Sequence, residues 1–167
     1  MKQAVLEHVN LTVTDPEKTA ERLCDLFGWH VRWKGEAKYG GLTVHVGTDN
    51  DYLAVYSMGS PAKAPADESY AVRGGLNHIG VVVDDLEAAE RRVKAAGYEP
   101  HSHADYEPGR RFYFDDDDGI EFEVVSYSLE RFIFGWMRFD GVRAGEENAA
   151  ALNPASPLRG GPRDRTK

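Results

Sequence analysis

One cysteine, three methionines and no long apolar run mark this chain of 167 residues. The lone thiol, Cys24, excludes an intramolecular disulfide and suits a reducing compartment, so the expected localisation is cytoplasmic. No stretch approaches the roughly 20 apolar residues of a membrane span. The opening MKQAVLEHVN lacks the apolar centre of a secretory leader, and none is expected. Positive charge is scarce too: 20 lysines and arginines stand against 28 aspartates and glutamates, a formal net charge of −8. Surfaces built for nucleic-acid phosphates are usually basic, so nucleic acid is not the expected partner. With 41% hydrophobic and 29% charged residues, the composition is that of a soluble protein able to form one domain with a proper core.

What the chain does have is internal repetition. An offset of 70 residues pairs Leu6 with Leu76, His8 with His78, Val13 with Val83, Asp15 with Asp85, Glu17 with Glu87 and Arg22 with Arg92. After one deletion, an offset of 69 pairs Gly28 with Gly97, Val55 with Val124 and Ser57 with Ser126. A fixed internal period indicates a duplicated structural unit. The order of elements agrees. Residues 5–13 alternate as a half-buried strand, Asp15-Pro16 opens a helix over 17–27, and Gly28 ends it. Strands are expected at 30–35, 42–47 and 52–58. The second unit has a strand at 76–83, a cap at Asp84-Asp85, a helix at 86–96 ended by Gly97, and strands near 98–104, 111–115 and 120–127.

The expected fold is therefore α+β: two tandem βαβββ modules forming a curved, barrel-like mixed sheet with the helices outside. Module one spans 4–59, a linker rich in alanine, proline and polar residues spans 60–74, and module two spans 75–128. Residues 129–145, which begin LERFIFGWMRF, read as an aromatic helix or extension, and 146–167 as a flexible tail.

Strand parity assigns the side chains to faces. Val9, Leu11 and Val13 share the helix face of the first strand, leaving His8, Asn10 and Thr12 on the other. Ile79, Val81 and Val83 likewise leave His78, Gly80 and Val82, and Phe122 and Val124 leave Glu121, Glu123 and Val125. Packing the modules edge to edge would bring His8, His78 and Glu123 into one cavity. A carboxylate there is costly unless paired, by several kcal/mol per buried ion. Neutral imidazoles do not offset that, whereas a divalent cation does. Two histidines and one carboxylate make a facial set with positions left open, the pattern of a catalytic rather than a structural metal site.

The openings LEHVNLTVTD and LNHIGVVVDD, the paired modules and the ending GRRFYFDDDDGIEFEVVS resemble the vicinal oxygen chelate superfamily, which contains glyoxalases, bleomycin-resistance proteins and extradiol dioxygenases. The resemblance covers residues 4–128. That family's closing motif, Y-F-x-D-P-D-G-x-x-x-E, is matched by Tyr113, Phe114, Asp116, Asp118, Gly119 and Glu123, with Asp117 in place of the proline. The resemblance implies His8, His78 and Glu123 as ligands of a divalent ion (Fe, Mn, Zn or Ni), and Tyr113 as a group that contacts substrate. His103 or His101 matches a further active-site histidine of the dioxygenases, and Tyr113 and His103 are the expected proton-moving groups.

Ala54 stands where glyoxalase-like members carry a second glutamate, which counts against proton abstraction of that kind. The expected function is a metal-dependent enzyme acting on a small oxygen-chelating substrate, most narrowly a ring-cleaving dioxygenase. A glyoxalase-like lyase, or a thiol transferase of the fosfomycin-resistance type using Arg110 and Arg111, is one alternative. A non-catalytic drug-binding protein using Trp33, Tyr52 and Tyr56 is the other. A homodimer is expected, with the ligands meeting either within one chain or across a swapped pair.

Overall fold

The computed structural model describes residues 3–38, 40–63, 69–107 and 109–127, so the aromatic extension and tail read from the sequence lie outside the described residues. Module one runs β1 (His8–Thr12), α1 (Pro16–Phe27), β2 (His30–Glu36), β3 (Leu42–Gly47) and β4 (Tyr52–Tyr56). A short 3-10 turn, Ser69–Ala71, precedes module two. Module two runs β5 (Ile79–Val82), α2 (Leu86–Ala95), β6 (His101–Tyr106), β7 (Gly109–Asp115) and β8 (Glu121–Ser126).

Local chemistry sets the helix ends. The Asp15 carboxylate accepts the backbone N–H groups of Glu17 and Lys18, and Pro16 fills the first helical position, where no N–H is needed. Gly28 closes α1 at φ 70°, a left-handed conformation that its missing Cβ permits. Asp85 caps α2 by accepting from the Ala88 N–H.

The two sheets have matching topology, β1-β4-β3-β2 and β5-β8-β7-β6, in which the first strand of each module runs parallel to the last. They are two four-stranded sheets and not one closed barrel. The reason is where the modules join. Leu11, Val13, Leu23, Leu26 and Val55 of the first form one core cluster with Val81, Val93, Phe112, Phe114, Phe122 and Val124 of the second. The ring of Phe27 lies 6.0 Å from that of Phe122 and 6.4 Å from that of Phe114. Arg92 Nε donates to the Leu26 carbonyl at 2.7 Å, and the backbone N–H of Thr14 donates to the Asp118 carboxylate at 3.0 Å. The modules thus meet through helices and apolar side chains rather than by pairing sheet edges, and the core occupies the helix-covered faces. Side chains of opposite parity are left out of it: Val82 is 59% exposed while its neighbour Val81 is 6% exposed.

The β7–β8 turn is pinned by Asp116, whose carboxylate accepts the N–H groups of Asp118 and Ile120 at 2.9 Å each. Burial raises the Asp116 pKa from 3.8 to about 6, despite those hydrogen bonds. A folded-state pKa above the unfolded one means the native state binds the extra proton. The contribution is therefore fully present below pH 3.8 and is lost as pH rises through about 6. Asp116→Asn should remove this dependence: relative to the variant, the wild type loses stability across that window, as urea midpoints at several pH values will report. Phe122→Ala, at a ring 1% exposed and shared by both modules, should cost about 3–5 kcal/mol in the same assay.

Candidate functional site

The side chains of module two that point away from the core form one connected polar array. Register builds it: His101 on β6 opposes Tyr113 on β7, Tyr113 opposes Glu123 on β8, and Glu123 opposes Gly80 on β5. Glu123 is largely buried, its side chain 12% exposed. One carboxylate oxygen, Oε2, lies 3.1 Å from His78 Nε2, and the other, Oε1, accepts from Arg111 Nη1 at 2.5 Å. The His78 ring meets the Tyr113 ring edge-on at 5.8 Å.

The other nitrogen of His78 decides what the first can do. Tyr70, from the 3-10 turn, has its hydroxyl 3.0 Å from His78 Nδ1 and donates its proton to Glu121 Oε2 at 2.5 Å. Burial, followed by that hydrogen bond, raises the Tyr70 pKa far above its usual value, so the phenol keeps its proton. With that proton directed at Glu121, the contact to His78 requires Nδ1–H to donate to the phenol oxygen. The neutral tautomer this selects carries a lone pair on Nε2, facing a carboxylate oxygen. Two lone pairs 3.1 Å apart are stable only with a proton or a cation between them.

Not every residue proposed from the sequence is brought here. His8 lies on the other sheet, its Nδ1 2.8 Å from Glu7 Oε2 and its ring stacked on Tyr52 at 5.0 Å. Among the described residues, the group offering three ligand atoms within 4.8 Å of one another is His101, Asp115 and Glu121, and does not include His8, His78 or Glu123. His103 faces the helix side: its Nε2 is 3.2 Å from Glu90 on α2, and its ring stacks on buried Phe112. It is therefore not placed to move protons at Glu123. The cause is a bulge between His101 and Ala104, with Ser102 at φ 51°. A bulge changes which side chains face which side, and simple alternation does not reveal it. His101 is the histidine turned toward the array, stacked on Tyr113 at 6.3 Å.

Two further readings change. The arginine pair divides: Arg110 reaches Glu87 on the surface at 2.6 Å, whereas Arg111 is buried beside Glu123. A cation of the chain itself thus offsets the Glu123 charge, which the parity argument had assigned to a metal alone. Tyr113 is held protonated, its pKa raised by burial and then by the Glu123 carboxylate, and so is equipped to donate a hydrogen bond rather than to accept a proton. Tyr70, Asp115 and Glu121 were not singled out as site residues from the sequence, and Arg111 was offered only as a cation for a phosphonate, not as the partner of Glu123. The one available signal for Tyr70 was an aromatic ring in a linker otherwise rich in alanine, proline and polar residues.

The chain belongs to the glyoxalase/bleomycin resistance protein/dioxygenase superfamily, whose family model matches residues 5–124. No curated protein matches the chain in sequence. Among solved structures, a glyoxalase/bleomycin resistance protein/dioxygenase domain from Frankia sp. EAN1pec is 21% identical, with a TM-score of 0.64 over 76% of this chain and 100% of that one. The fosfomycin resistance protein FosX from Listeria monocytogenes is 20% identical, with a TM-score of 0.58 over 78% of this chain and 98% of its own. FosX from Mesorhizobium loti is 21% identical, with a TM-score of 0.57 over 80% of this chain and 99% of its own. At these identities the likeness is one of fold.

Arg111→Leu tests the buried ion pair. Leaving Glu123 unpaired should cost about 3–5 kcal/mol in metal-free protein, measured by denaturant unfolding. A loss under about 1 kcal/mol, as for a surface pair, would show that the pair is solvated.

Proposed function

We propose that this protein is a divalent-metal-dependent enzyme, its ion held by His78, Glu123 and the His8 of a second copy of the chain. The observation that carries this reading is the His78 Nε2–Glu123 Oε2 contact of 3.1 Å, with the opposite edge of each group already engaged. The donors fit an ion. Tyr70 directs the His78 lone pair toward Oε2, and Arg111 occupies Oε1, leaving one oxygen for coordination. A divalent ion bound there supplies Lewis acidity and open positions for two neighbouring oxygens of a substrate.

The protein's own groups do the rest. Tyr113 presents a protonated hydroxyl beside Glu123, suited to hold a substrate oxygen. The rings of Tyr113 and His101, stacked beside His78, offer faces to a flat substrate. Arg110 and Arg111, the cations the sequence offered for a phosphonate, are engaged with Glu87 and Glu123. This favours an uncharged substrate over a phosphonate, and ring cleavage of a catechol-like diol with Fe(II) over a fosfomycin-type reaction.

The packing of the core supports a site shared with a second copy. Joined through their helices, the modules of one chain keep His8 apart from His78 and Glu123. Among the described residues, β1 and β5 each lie at an edge of their sheet, where a partner strand could pair. A homodimer in which module one of one copy meets module two of the other supplies the third ligand and two equivalent sites.

One observation favours a second reading. Because Arg111 already balances the Glu123 charge, a proton between His78 Nε2 and Glu123 Oε2 would complete the site without a metal ion, as a metal-free drug-binding protein would require.

The test is metal content after chelator-free purification, with His8→Ala and His78→Ala. Loss of second-layer groups typically weakens metal binding about 10–100-fold, so loss of a ligand should exceed about 100-fold. Mixing the two variants should regenerate intact sites in heterodimers, about a quarter of the wild-type number for random pairing. Iron-loaded protein should consume dioxygen with catechols. Metal-free wild type that binds no added ion would favour the drug-binding reading, and no recovery on mixing would contradict the shared site.

A further inference from the structure

The array extends beyond Glu123. Asp115 and Glu121 face each other directly across the β7–β8 pair, two carboxylates at opposed positions of one sheet face. Like charges so placed repel unless something lies between them. His101, one strand further on, aims Nε2 at Asp115 Oδ2 from 3.5 Å. That nitrogen is buried and has no hydrogen-bond partner, while Nδ1 of the same ring is taken by the Ser102 hydroxyl at 3.0 Å. One ligand atom from each of His101, Asp115 and Glu121 lies within 4.8 Å of the other two.

We propose that His101, Asp115 and Glu121 form a second divalent-cation site, separate from the one at His78 and Glu123. The separate observation beyond the acidic pair is the imidazole nitrogen, buried, unpartnered and directed into the cluster. An ion there completes the coordination that His101 Nε2 lacks and relieves the repulsion between the two carboxylates. One imidazole and two carboxylates suit Mn(II), Fe(II), Co(II) or Zn(II), and their two negative charges match a dication. The Ser102 hydroxyl orients the ring, as outer partners of a metal-bound histidine do. Tyr70 links the two sites, bonding Glu121 on one side and His78 on the other. This proposal does not depend on the function proposed above.

The experiment is Mn(II) titration of the full chain after removal of bound metal, followed by the electron paramagnetic resonance signal of free Mn(II). The wild type is expected to bind two ions per chain. His101→Ala and Asp115→Asn should each weaken one ion at least about 10-fold and spare the other, whereas His78→Ala should do the reverse. Asp115 is 61% exposed at its side chain, so its amide variant should fold, and thermal melts check both. Binding of one ion that vanishes in His101→Ala and Asp115→Asn but persists in His78→Ala would sustain this site and refute the catalytic one. Ion binding unchanged in both His101→Ala and Asp115→Asn would overturn the second site, and so would a wild type that takes up no ion.

Discussion

A largely buried carboxylate on an inner strand of module two organises this molecule's chemistry. Glu123 sits between Arg111, which takes one oxygen at 2.5 Å, and His78, which meets the other at 3.1 Å. Each neighbour is itself fixed: Arg111 also reaches the Gly109 carbonyl, and His78 is turned by Tyr70. The sheet supplies the rigidity. Phe112, Phe122 and Val124 alternate with Arg111, Tyr113 and Glu123 along β7 and β8, and the apolar set is fully buried. A shift of one residue in either strand would reverse which side chains enter the core, so the core's packing also holds the polar array in place.

The same construction explains why one chain does not complete the triad. The duplication produced two sheets, each with a histidine on or beside its first strand, but the helices and phenylalanines join the modules on the opposite faces. His8 is consequently left stacked on Tyr52 within its own module. The proposed arrangement shared between two copies would reconcile the repeat, which places equivalent histidines in both modules, with a core that keeps them apart.

Much of this architecture was legible in the sequence, because the signals were local. Asp15-Pro16 and Gly28 mark the ends of α1 through hydrogen bonds confined to a few residues. The apolar alternation in 5–13 and 76–83 placed Leu11, Val13 and Val81 in the core correctly. The proximity of His78 to Glu123 could be read because β5 pairs directly with β8. What was not legible depends on long-range or irregular geometry. The bulge at Ser102 turns His101, rather than the expected His103, toward the array. Arg111 gave no sign that its partner would be Glu123, and Tyr70 reaches the site from a short 3-10 turn outside both sheets. The relation between modules depends on which faces pack, which the repeat itself does not specify.

Diffraction from crystals of the metal-loaded protein, recorded at the absorption edge of the bound ion, addresses the shared site most directly. The account predicts an anomalous peak about 2.0–2.2 Å from His78 Nε2 and Glu123 Oε2, the usual range for nitrogen and oxygen ligands. A histidine ring from the neighbouring copy's first strand should complete the coordination. A map with no peak there, showing Glu123 clasped only by Arg111 and His78, would contradict it.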